Sequence, residues 1–206
     1  VAFNGKEVKL KFKEAWYVSS RYQFDNFLVE QASTLPNVSY FTNEQIKDIQ
    51  TSGEGVSITT DTNKIFKAKI IIGCDGATSV VRRKLTNYTT NKEFHFAAIR
   101  AYYKNVKEVE QDTFEFHFVP KYPDGYLWVF PAADGLVNVG IGNTSQNISE
   151  RQLNLKEILK DTLQELPQLK SRFSHAELCR EIKGWSIPLG YQTHAISGER
   201  FMLAGD

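Results

Sequence analysis

The sequence predicts an α/β arrangement joined to an α+β one. Ala68 to Arg83, AKIIIGCDGATSVVRR, reads as an apolar, β-branched strand covered on both faces that ends in a tight acidic turn and enters a helix. Gly198 to Asp206, GERFMLAGD, repeats that grammar, with Phe201 to Ala204 as a strand running into Gly205-Asp206. Between them lies a long stretch of aromatic residues at strand spacing, from Phe94 to Gly142. This order predicts part of a doubly wound domain with a mostly antiparallel sheet, helices on one face, inserted into it.

Composition sets the outer limits. With 206 residues, 41% hydrophobic and 24% charged, the chain can bury a sizeable core and falls between one and two domains. A net charge of +1 makes no electrostatic case for nucleic acid or an anionic membrane surface. No apolar run approaches the roughly 20 residues of a membrane span, and the start, VAFNGKEVKLKF, alternates apolar and polar residues rather than forming a signal peptide. The chain begins without Met and reads as an excised piece. Cys74 and Cys179 lack a C-x-x-C pattern and read as reduced, buried thiols of a cytoplasmic protein. His95, His117, His175 and His194 show no metal-ligand spacing, so no metal is expected, and no P-loop or G-x-S-x-G elbow occurs.

Taken in order, Val8, Leu10 and Phe12 alternate with lysines after the Asn4-Gly5 turn, predicting one strand of a hairpin. From Trp16 the pattern changes: Tyr17-Val18 reads as a short strand, and Ser19 or Ser20 caps an amphipathic helix carrying Phe24, Phe27, Leu28 and Leu35 until Pro36. Residues 38 to 72 read as a meander, with strands at Val38–Tyr40, Gln45–Thr51, Val56–Thr60 and Ile65–Ile72 packing on the parallel sheet. After a polar loop at residues 87–92, strands follow at residues 94–103, 114–118, 126–131 and 136–142. A helix runs from Glu150 to Leu166, a further turn of helix from Gln168 to Phe173, and a last strand from Ala176 to Pro188. The Asp75-Gly76 turn admits two readings, a ligand site at the carboxyl end of a strand or a helix cap by Asp75 or Thr78.

D-G-x-x-S-x-x-R at Asp75, Gly76, Ser79 and Arg82, followed by the terminal apolar-G-D, resembles the two downstream fingerprints of the flavoprotein hydroxylase and reductase superfamily typified by p-hydroxybenzoate hydroxylase. Three more stretches resemble its geranylgeranyl reductase branch: S-R-Y-Q-F-D-x-F-L-x-x-x-A from Ser20, G-Y-L-W-V-F-P-x-x-D-G-x-x-N-V-G-I-G from Gly125, and Gly184 to Gly190, where Trp185 replaces a second glycine. An indole there would narrow or reshape the cavity that the small residue leaves open.

The resemblance implies a partial FAD-binding domain over residues 16–86 and 199–206, and a substrate domain over 1–15 and 87–198. It places Arg21, Asp75, Gly76, Gly205 and Asp206 against FAD, with an Arg21–Asp25 surface pair as the rival reading of Arg21. Tyr126, Trp128, Phe130, Pro131, Trp185 and Pro188 would line a pocket for a hydrophobic small molecule, a prenyl chain. The implied activity is reduction of carbon-carbon double bonds in a geranylgeranyl-type substrate, with NAD(P)H or another reductant and peripheral membrane contact through the substrate. The alternatives are an aromatic hydroxylase or halogenase of the same superfamily and a non-catalytic lipid- or protein-binding module. No residue stands out as a proton donor. The G-x-G-x-x-G unit that cradles the pyrophosphate is missing, so the 206-residue chain is expected to be found without flavin and to expose apolar surface beside Ile70–Ile72.

Overall fold

The structure, a computed structural model, describes residues 2–3, 6–14, 17–190 and 195–205. In chain order it forms β1 (Ala2–Phe3), β2 (Lys6–Glu7), α1 (Arg21–Ser33), β3 (Ile46–Ser52), β4 (Gly55–Thr60), β5 (Ile65–Ala68), β6 (Ile71–Gly73), α2 (Val80–Leu85), β7 (His95–Lys104), β8 (Glu115–Phe118), β9 (Gly125–Pro131), β10 (Val137–Thr144), α3 (Ser145–Glu150), α4 (Leu155–Glu165), α5 (Pro167–Lys170), β11 (Glu177–Leu178), β12 (Lys183–Pro188), β13 (Ser197–Gly198) and β14 (Phe201–Leu203). The chain divides into two units, Val1–Gln31 with His95–Ser186, and Ala32–Phe94 with Ile187–Asp206.

The first unit is built on a sheet in the order β11-β7-β10-β9-β8-β1-β2, with β12 also paired to β7. Along that order the pairs are antiparallel apart from β1 with β8. Because side chains alternate across a strand, each strand serves two different faces. Leu127, Val129, Val139 and Ile141 point to one face and are buried together with Ile158, Leu159 and Leu163 of α4. Full burial of each such aliphatic side chain stabilises the unit by about 1.5–3 kcal/mol. The helix predicted over Glu150 to Leu166 begins only at Leu155, and Glu150 instead ends the separate α3. Gln152 has φ 50°, and the Asn154 side chain accepts from the backbone N–H groups of Lys156 and Glu157, so an Asx cap starts a new helix where propensity alone would have continued the old one. The expected strand from Ala176 to Pro188 is likewise split into β11 and β12.

At the start of this unit, residues 8–12 form no strand, although they alternate as one, and Val8, Leu10 and Phe12 are exposed. The Asn4-Gly5 turn and Trp16 lie outside the described residues, and Tyr17-Val18 is not a strand. Ser20 caps α1, accepting from the Gln23 N–H at 3.3 Å. The helix buries none of its 13 residues, so its Phe24, Phe27 and Leu28 stripe stays open.

The second unit joins the β3-β4-β5 meander to the parallel pair β6–β14, with β13 on the outer side of β14. Ile49 and Val56 of the meander share a core with Ile71, Val81 and Phe201. The predicted strand Ile65–Ile72 breaks at Lys69-Ile70, because β5 pairs antiparallel with β4 whereas β6 pairs parallel with β14. Residues Val38–Tyr40 form no strand. Glu44 ties the end of the meander together, accepting from the Thr60 and Thr62 hydroxyls and from the Lys64 ammonium. β6 is covered on one face only: Ile71 is 7% exposed, but Ile72 on the other face is 57% exposed and sits beside the half-exposed Met202.

Candidate functional site

The second unit brings two of the sequence motifs side by side. Leu203 is registered against Gly73, and the Ala204 N–H donates to the Gly73 carbonyl at 3.0 Å. Parallel pairing therefore delivers both turns, Cys74-Asp75-Gly76 and Ala204-Gly205, to the same strand end, where ligands bind in open α/β sheets. Gly76 has φ 73° and Gly205 has φ 85°, and a Cβ on either would meet nothing within 4 Å. Both positions thus need glycine for backbone conformation and leave space beside the main chain, as a close-approaching cofactor requires. Asp206 lies outside the described residues.

Asp75 is also a helix cap. Its Oδ2 accepts from the N–H groups of Val80 at 2.6 Å and Val81 at 3.3 Å, while its Oδ1 accepts from the Ser79 hydroxyl. Ser79 in turn accepts from the Arg82 N–H at 3.0 Å. Arg82 is only 6% exposed; it reaches back to the Ala77 carbonyl, and its Cζ stacks 3.9 Å from the centre of the Tyr88 ring. The D-G-x-x-S-x-x-R spacing therefore has a local cause: each named side chain closes the turn that the glycine opens. Arg21 pairs with Asp25 on the surface, Nη2 to Oδ2 at 3.1 Å, the rival reading of that residue. Cys74 is exposed rather than buried, because it sits in the turn and not in the strand.

In the first unit, the face of the sheet opposite α4 is aromatic. Tyr126, Trp128 and Phe130 alternate along β9, and Phe116 packs edge-on to Tyr126 and Phe130, with centroids 5.7 and 5.2 Å away. Phe96 stacks on Tyr126 at 5.7 Å. The rings lie over β10, whose residues on this face are Asn138, Gly140 and Gly142. A Cβ at Gly140 would collide with the Trp128 ring and the Ile99 carbonyl, and one at Gly142 with the Phe96 ring. These glycines let the aromatic layer sit close on the sheet. The Trp128 indole N–H donates to Asn138 Oδ1 at 3.2 Å. Pro131, grouped with these rings in the sequence, is placed by strand alternation on the opposite, buried face. Trp185 on β12 is 69% exposed, and Pro188 ends that strand within the second unit.

Sequence reasoning missed the buried ionic cluster beneath the aromatic face. Arg172 makes a two-pronged contact to Glu115, and His117 Nε2 lies 3.1 Å from the same carboxylate. The signal was present in part: strict alternation of Phe114, Phe116 and Phe118 forces Glu115 and His117 onto the other face, where a charge needs a partner. Among the described residues no group of three or more His, Cys, Asp or Glu side chains is placed to hold a metal, and no helix is long and apolar enough to cross a membrane.

The structure shares the fold of a geranylgeranyl bacteriochlorophyll reductase-like protein from Thermoplasma acidophilum, with a TM-score of 0.74 at 20% identity, covering 93% of this chain and 50% of that one. It also shares that of a flavin-dependent brominase, with a TM-score of 0.70 at 17% identity, covering 90% of this chain and 48% of that one. Residues 96–178 match the family model described as geranylgeranyl reductase catalytic domain. The chain is 27% identical to the digeranylgeranylglycerophospholipid reductase of Methanococcus aeolicus across 100% of its own length and 52% of the relative's. The chain thus spans about half the length of such curated relatives.

Proposed function

We propose that this chain is the central part of an FAD-dependent oxidoreductase that reduces carbon-carbon double bonds of an isoprenoid, geranylgeranyl-type substrate. The observation that carries this reading is the aromatic layer of Phe96, Phe116, Tyr126, Trp128 and Phe130 on the glycine-bearing β10, which falls within the reductase catalytic domain match. A broad ring surface with one indole N–H already engaged suits an apolar chain, and it keeps water from the reacting carbons. The second unit serves the cofactor: Gly76 and Gly205 leave room for close approach, and Asp75 holds the turn in shape. Reduced FAD, when bound, supplies the hydride. The residues of the chain bind, orient and shield, and none is assigned a proton-donor role.

The test uses the full-length protein. Its visible absorbance should show bound flavin, and reduced enzyme incubated with a geranylgeranyl lipid should yield products heavier by two hydrogens per double bond. Incorporation of oxygen or halogen would instead support the second reading, an aromatic hydroxylase or halogenase, which the fold shared with the brominase favours.

A further inference from the structure

The two glycine turns of the second unit hang on a very short ladder. β6 and β14 pair only as Ile71 with Phe201, Ile72 with Met202 and Gly73 with Leu203. A slip of one residue would carry Gly205 about 3.3 Å along the strand from its place beside the Asp75-Gly76 turn, and would bring the buried Phe201 to the face where Met202 is half-exposed. So few rungs give the register little hold of their own. The Ala204 N–H closes the far end of the ladder on the Gly73 carbonyl, and Arg200 closes the near end.

Arg200 makes three links there. Its carbonyl accepts from the Ile71 N–H at 2.9 Å. Its Nη1 donates to the Lys69 carbonyl at 3.4 Å, in the break between β5 and β6, and its Nη2 donates to the Gly53 carbonyl, in the turn between β3 and β4. These two acceptors lie 131 and 147 residues away in the chain. One planar fork thus ties the start of β14 both to the entry of β6 and to the meander. The backbone of Arg200 is left-handed, with φ 65°, in the two-residue turn between β13 and β14. Glycine or asparagine suits such a turn position better, so the arginine is held there against its backbone preference by what its side chain reaches.

We propose that Arg200 is a positioning residue for the cofactor turns: by holding the start of β14 on the Lys69 and Gly53 carbonyls, it fixes the register that sets Gly205 beside Gly76. It sits at the amino end of β14 and acts on the turns through the ladder. This rests on the reading of the second unit as the FAD site. The experiment titrates FAD into flavin-stripped full-length protein, followed by flavin fluorescence, with the melting temperature of each flavin-free variant measured alongside. Arg200→Gly removes the guanidinium and relieves the left-handed backbone, so its melting temperature should stay close to wild type while FAD binds about tenfold more weakly. Arg200→Asn, which also tolerates a left-handed backbone, should behave alike, and it carries the test if the glycine variant does not fold. Arg200→Lys should recover part of the loss, since an ammonium can reach one of the two carbonyls. Ile49→Val, in the core of the same unit, is the comparison: it should lower the melting temperature and leave FAD affinity unchanged. Wild-type affinity in both Arg200→Gly and Arg200→Asn overturns the proposal. Affinity that falls in step with melting temperature across all the variants, Ile49→Val included, makes Arg200 a plain brace and overturns it too. If the full-length wild type holds no flavin at all, the reading of the second unit as a cofactor site falls, and the positioning role with it.

Discussion

Arg172 grips Glu115 with both terminal nitrogens, Nη1 to Oε2 at 2.7 Å and Nη2 to Oε1 at 2.6 Å, and its Nε donates to the Lys107 carbonyl at 3.2 Å. One buried guanidinium thereby fastens β8 and the loop after β7 to the segment that follows α5. Removing the acid strands the cation: Glu115→Gln should destabilise the protein by about 3 kcal/mol, read as a lower denaturant midpoint, because an uncompensated buried charge costs more than the pair contributes.

The same pair fixes a pH dependence. Burial pushes the Glu115 carboxyl up, but Arg172 and His117 more than offset this and hold it at about 2, against an ordinary 4.5. A carboxyl whose folded pKa lies below its unfolded one stabilises the fold fully above the unfolded value and loses that contribution as pH falls through the folded one. Urea midpoints of the wild type should therefore decline between about pH 5 and pH 2, and the decline should be shallower in Glu115→Gln.

Gly140→Ala should destabilise by about 1–3 kcal/mol and alter the near-ultraviolet circular dichroism, because the added methyl displaces the Trp128 ring and meets the Ile99 carbonyl, which cannot rotate away. Gly76→Ala tests a different cost. It meets no atom, so its penalty of about 1 kcal/mol would come from the positive φ alone and would leave the aromatic signal untouched.

Asp75→Ala should lower the melting temperature without any flavin present, by the equivalent of about 1 kcal/mol, since the N–H groups of Val80 and Val81 lose their acceptor. If Asp75 also serves the cofactor, flavin retention in the full-length protein should fall further than in a Ser79→Ala variant, which weakens the same cap. Equal losses of retention in the two would leave Asp75 a cap alone.

How much could be read in advance depended on whether a feature is local. Phe114, Phe116 and Phe118 announce a strand, and Ile71 and Phe201 each sit in an apolar run that ends in glycine, so the strands and their turns were legible. Parallel pairing of β6 with β14 came from motif order, not from periodicity. The Lys69-Ile70 break was not legible, because it arises only when one run of residues must join two sheets. Residues 8–12 show the limit of periodicity: their side chains alternate as in a strand, yet the segment is not one, because alternation describes a side-chain pattern and not a backbone ladder. Arg172 was invisible for its distance in sequence from Glu115, which is met only through tertiary structure.

Phe201 is hydrogen-bonded across to the strand that holds Ile71, with all of residues 74–200 between them in the chain. On the ribosome, β6 and α2 emerge long before the strand that completes their core. At about 5–20 residues per second, Ile71 and Val81 wait roughly 6 to 26 seconds for Phe201. Meanwhile β7 through β10, whose successive pairings are mostly between neighbours, can close without them. The insert is thus finished before the frame that surrounds it in sequence, and the nascent chain carries an open seam through that interval, the stretch of biogenesis in which a chaperone has most to hold.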